Sequence, residues 1–182
     1  MDSGYTGEAI MHFGTMFVSV VLLGCPWLIP LSSVAQEVVF VVRHSDPPPM
    51  LRIDEIREDT PLSESGRQRA QALAGRLRDA GISAIYTSEA LRTIQTAEPL
   101  ADVLRIKGEV HLGDDVDGLI ADIKANHPAE RVLIVGHWST IPSIVKALGA
   151  SEEVKIERSE FDNLFVVLPH DQQAPTLLHL HY

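Results

Sequence analysis

The stretch EVVFVVRHSDPPP, residues 37–49, is short, apolar and β-branched, and then stops on Arg43 and His44, with polar residues and three prolines directly after. A run of this length and composition reads as a strand buried on both faces. Such a strand is a rigid post. Its polar end holds a reactive imidazole beside a permanent positive charge.

Outward from this post, the chain alternates strand-like and helix-like segments. LSESGRQRAQALAGRLRDAG (62–81) places Ala70, Leu73, Ala74 and Leu77 at helical spacing, with Gly81 as its stop. ISAIY (82–86) is a second short strand, and SEALRTIQTAEPLADVLRI (88–106) reads as a helix capped by Ser88 and disturbed late by Pro99. EVHL (109–112) fits a third strand, and DDVDGLIADIKANHP (114–128) a helix begun by acids and ended before Pro128. RVLIVGH (131–137) is a fourth strand, again ending on a histidine. STIPSIVKALGA (139–150) then opens a helix, with Ser139 or Thr140 as cap and Pro142 in its first turn. The polar residues 151–160 read as a solvated connection, followed by strands NLFVVL (163–168) and TLLHLHY (176–182). This alternation predicts an α/β three-layer sandwich, a largely parallel central sheet with helices on both faces.

In such sheets ligands gather at the carboxyl ends of the strands. His44 follows the first strand, Ser88 and Arg92 the second, and His137 the fourth. Two arginines offer planar forks suited to phosphate oxygens. Of the two imidazoles, one can be neutral and nucleophilic toward phosphorus, and the other protonated, holding charge on the transferred group.

Composition narrows the remaining choices. The 182 residues suit one domain, and 15 Lys and Arg against 25 Asp and Glu leave a formal charge of −10. With no basic run, binding of nucleic acid through a broad positive face is excluded. An anionic ligand must be met by a few placed arginines working against the overall field.

Residues 1–35 carry no Lys or Arg, and FGTMFVSVVLLGCPWLIPLSSVA (13–35) is apolar with small residues at its end. Ser33-Val34-Ala35 fits a cleavage site, so residues 1–35 read as an export signal and 36–182 as the mature domain, periplasmic or secreted. An uncleaved anchor is the alternative, although Pro26 and Pro30 interrupt the run. A lipoprotein signal ending at Cys25 is another. Cys25 is the single cysteine, so cleavage after Ala35 leaves no thiolate nucleophile and no cysteine-ligated metal. After cleavage no membrane insertion is expected.

The motifs VVRHS, LSESGRQRAQALAGRL, IYTSEALRTIQTAEPLA and VLIVGHWST, in that order over residues 37–150, resemble those of the histidine phosphatase superfamily, the phosphoglycerate-mutase-like phosphatases. The resemblance implies that His44 becomes phosphohistidine and that Arg43, Arg92 and His137 complete the phosphate pocket. It also implies transfer to histidine followed by hydrolysis, without a metal or other cofactor. The chain's small size is similar to that of the phosphohistidine phosphatases in the family. Ser45 stands where the family often has glycine, and no inserted loop supplies a glutamate acid. Asp115, with Asp114 next to it, is the candidate to protonate the leaving oxygen; a helix N-terminal role without chemistry is its alternative. The expected substrate is a small phosphomonoester or phosphoramidate, or a phosphoprotein. A phosphate-binding module without turnover, or a metal-dependent hydrolase using the histidines as ligands, remain as competing classes. His127, His179 and His181 read as helix-end and exposed strand residues, His111 as structural, and Trp138 as either pocket wall or core.

Overall fold

The structure is a computed structural model that describes Met1 and residues 38–49, 56–170 and 173–182. The expected export segment, with Cys25, lies outside the described residues. The strands are β1 (Val38–Arg43), β2 (Ala84–Thr87), β3 (Glu109–Val110), β4 (Arg131–Gly136), β5 (Asn163–His170) and β6 (Gln173–His181). Between them run helices α1 (Glu64–Leu77), α2 (Leu91–Leu104), α3 (Val116–Asn126) and α4 (Ile141–Ala147). The described strands form one sheet in the order β3-β2-β4-β1-β5-β6. β3, β2, β4 and β1 are mutually parallel, while β5 runs antiparallel to β1 and β6 antiparallel to β5.

Period-two alternation sorts the strand side chains to two faces. Val39, Val41, Tyr86, Val132 and Ile134 pack with Leu119, Ile123, Ile141 and Ile144 of α3 and α4. Val42, Ile85, Leu133 and Val135 pack with Leu73, Leu77 and Leu100 of α1 and α2. Both faces of the sheet are therefore covered, which is why β1 and β4 carry uninterrupted apolar runs. Each buried aliphatic side chain contributes roughly 1.5–3 kcal/mol. The expected three-layer α/β architecture is the one observed, with an antiparallel pair completing one edge.

Local chemistry sets the helix ends. Ser63 caps α1 by accepting from the Gly66 amide, and Gly81, at φ +73°, turns the chain toward β2. α2 departs from expectation twice. Its cap position is Ala90 rather than Ser88, and it passes through Pro99 to Leu104. Ser88 lies two residues too early to cap; its hydroxyl accepts from the Ala90 amide and faces His137 instead. Pro99 is tolerated because Ala97 and Leu100 on either side of it are buried, and that packing holds the helix where one backbone bond is missing.

Candidate active site

β1 and β4 are register neighbours, with Arg43 opposite Gly136. His44 and His137, the residues after each strand, therefore emerge side by side, with ring centroids 5.4 Å apart and edge to face. β2 lies on the far side of β4, so Ser88 and then Arg92 on the first turn of α2 reach the same rim. Arg43, His44, Arg92 and His137 all line one cavity of about 520 Å³. Its other walls include Pro47, Pro48, Trp138, Ser139, Arg158 and Phe161.

Arg43 is buried, yet its guanidinium is held from several sides. Nη1 donates to the carbonyls of Glu157, Arg158 and Glu160 at 3.3, 2.9 and 2.6 Å, and the Phe161 ring lies 3.8 Å from Cζ. Its Nε is buried and without a partner. Burial lowers the group to about 10, so it stays cationic at neutral pH.

The imidazole of His44 is almost fully buried, and its Nδ1 lies 2.8 Å from the Ser45 carbonyl. That carbonyl can only accept, so Nδ1 carries the proton and Nε2 keeps a free lone pair. Burial, then the neighbouring charge of Arg43, pushes His44 down to about 3. It is a neutral base at any ordinary pH, as a nucleophile toward phosphorus needs.

His137 has the opposite tautomer. Arg92 Nη2 donates to Nδ1 at 3.3 Å, leaving Nε2–H to donate to Ser88 Oγ at 2.9 Å. Ser88 Oγ lies 2.9 Å from Thr93 Oγ1, and that hydroxyl in turn donates to the Ala90 carbonyl at 2.7 Å. Burial and then Arg92 lower His137 to about 4. The imidazole is therefore neutral at pH 7, not the cation that the sequence suggests. The negative charge of a phosphate beside it would act in the opposite sense. Arg92 also donates from Nη1 to the Arg57 carbonyl at 2.9 Å, and its Nε is buried without a partner.

Asp115 sits apart from these groups. Its carboxylate accepts from the Gly118 amide at 2.9 Å as the cap of α3. It lines a small groove shared with Ser88, Gly113 and His137, not the main cavity. Asp114 beside it is exposed. Glu89 closes the same region by accepting from the Gly113 amide at 2.8 Å.

The profile of the histidine phosphatase superfamily (branch 1) matches residues 39–115, a span containing Arg43, His44, Arg92 and Asp115. Over this span, which is less than half of the chain, the sequence is similar to that superfamily. Among curated relatives, a probable phosphoglycerate mutase of Proteus mirabilis is 38% identical over 68 residues, or 37% of this chain and 32% of its own. The matches to curated relatives span between 18% and 32% of their lengths. The fold is shared with the protein histidine phosphatase SixA solved with tungstate, at TM-score 0.62, 21% identity, 79% of this chain and 96% of that one. It is shared too with a mycobacterial glucosyl-3-phosphoglycerate phosphatase, at TM-score 0.57, 18% identity, 81% of this chain and 98% of that one.

Some cavity residues carry no signal in the sequence. At the end of the segment 151–160, read as solvated, the backbone carbonyls of Glu157, Arg158 and Glu160 clamp Arg43; carbonyls are common to every residue type, so composition cannot announce them. Phe161 and Arg158 lie more than 110 positions from Arg43. Trp138 answers both of its readings, lining the cavity while packing against the core. His127 sits at the end of α3 as expected, with Glu130 at 3.0 Å. His179 stacks on Phe165 and bonds Asn163 Oδ1 at 2.6 Å. Among the described residues no group of three or more His, Cys, Asp or Glu is arranged to hold a metal.

Proposed function

We propose that this chain is an exported phosphatase that hydrolyses phosphomonoesters or phosphoramidates through a phosphohistidine at His44. One observation carries the reading: a neutral imidazole with Nε2 unprotonated stands in one cavity with a buried guanidinium, Arg43, and a half-buried one, Arg92, neither held in an ion pair by a carboxylate among the described residues.

In the first step the Nε2 lone pair of His44 forms a bond to phosphorus as the bond to the leaving oxygen or nitrogen breaks. Arg43 and Arg92 donate to the non-bridging oxygens, and their fixed positions stabilise the charge that gathers there. The leaving atom takes up a proton, from Asp115 if its carboxyl turns toward His137, or from water when the leaving group is already a good one. In the second step water attacks phosphorus, the N–P bond breaks, and inorganic phosphate leaves with His44 restored. The arginines supply the charge, and no metal ion enters either step.

The decisive experiment is acid-quenched trapping with ³²P-labelled substrate. An acid-labile, base-stable label lost in His44→Ala, with activity insensitive to chelator, is the expected result. A fully active His44→Ala variant overturns it. A phosphohistidine suits the same cavity, because its imidazole leaves as a neutral ring once the other ring nitrogen is protonated and then needs little further acid. Comparison of phosphohistidine with p-nitrophenyl phosphate separates the two substrate classes. Export is tested by sequencing the amino terminus of the secreted form, expected at Gln36.

A further inference from the structure

The cavity is several times larger than a phosphate group, and its charge is not exhausted by one. A phosphomonoester dianion is balanced by Arg43 and Arg92 when both histidines are neutral. Asp46, also at the wall, is already paired with Arg69 at 2.6 Å. Arg158 is a third guanidinium on the lining.

Arg158 has no carboxylate partner among the described residues, although acids outnumber bases by ten. Arg67, Arg69 and Arg78 each hold one. Arg158 instead lies over the Trp138 ring, 4.5 Å from its centroid. An aromatic face holds a guanidinium flat while leaving its N–H edge free for a planar anion. Both supports of this seat belong to the site: Trp138 directly follows His137, and the carbonyl of Arg158 accepts from Arg43 Nη1 at 2.9 Å. The position of Arg158 is thus tied to the group that would bind phosphate.

We propose that Arg158, seated on Trp138, binds a second anionic group of the substrate, so that preferred substrates are phosphorylated compounds whose organic part carries a carboxylate or a second phosphate. The inference rests on the phosphatase reading for the first anion.

The test uses non-hydrolysable probes and calorimetry on the full chain. 3-Phosphonopropionate and propane-1,3-bisphosphonate are compared with propylphosphonate, which shares the phosphonate and the three-carbon chain but lacks the second anion. Wild type is expected to prefer one or both probes that carry a second anionic group by about 10- to 100-fold, the size of a charge-assisted bidentate contact. Which probe wins distinguishes carboxylate from phosphate. Arg158→Gln, on an exposed side chain, is expected to erase the ratio. Equal affinity of wild type for all three probes overturns the second site, as does a variant that weakens all three by one factor. Propylphosphonate binding and turnover of p-nitrophenyl phosphate report separately on the phosphatase reading, which fails if both are absent.

Discussion

Arg43 shows how much of the cavity wall goes into holding one side chain. Three carbonyls crowd a single nitrogen and an aromatic ring covers one face, which leaves the rest of the fork for a ligand. A lysine has the charge but only one nitrogen, so it can satisfy the loop or the phosphate, not both. Arg43→Lys is expected to cut kcat/KM for p-nitrophenyl phosphate by about 100-fold or more, measured by steady-state kinetics. Asp115 poses a different residue-scale question. Asparagine caps a helix as well as aspartate does, so Asp115→Asn keeps α3 intact and removes only acidity. Its expected signature is an unchanged melting temperature, little loss on p-nitrophenyl phosphate, and a clear drop in kcat on an alkyl phosphate with a poor leaving group.

At the scale of elements, the segment leaving β1 is locked onto α1. Ser63 donates to the Asp46 carbonyl from both its amide, at 2.9 Å, and its hydroxyl, at 3.0 Å. Gly66 lets the helix approach so closely that any Cβ there would collide with that carbonyl oxygen. Gly75, on the same helix, has open space around it. The two glycines should therefore respond in opposite directions to the same substitution. Gly66→Ala is expected to destabilise by about 2 kcal/mol or more and to lower activity by shifting the segment that follows His44. Gly75→Ala is expected to stabilise by about 0.5–1 kcal/mol. Urea unfolding with parallel rate measurements checks both.

For the whole molecule, the buried histidines link folding to pH. His44 and His137 sit at about 3 and about 4 in the folded protein, against 6.5 for an unperturbed histidine. Between pH 6.5 and about 4 the unfolded chain binds protons that the folded protein does not, so stability falls as pH falls through that window. The slope is roughly 1 kcal/mol per pH unit for each histidine. Unfolding free energies measured at pH 7 and 5 should show this loss, and His44→Asn with His137→Asn should flatten it. The site thereby stores instability, kept because a neutral imidazole is what the proposed chemistry uses.

Much of this molecule is legible in the order of its residues. Period-two apolar runs ending in Arg43-His44 and Gly136-His137, separated by helical spacing, are local signals, because which residues must be buried depends on neighbours a few positions away. The same locality accounts for the errors. Ser88 reads as a cap because a serine before a helix usually is one; its role facing His137 depends on β4, a strand distant in the sequence. The wall at 157–161 was invisible because it acts through backbone carbonyls and through pairings of Arg158 with Trp138 and Phe161 with Arg43. The alternation of strands and helices, and the residue types at the strand ends, follow from the order of amino acids alone. Which proton each ring carries, and whether an arginine is held by the protein or offered to a ligand, are decided only by packing, because burial and hydrogen-bond direction do not exist until distant segments meet.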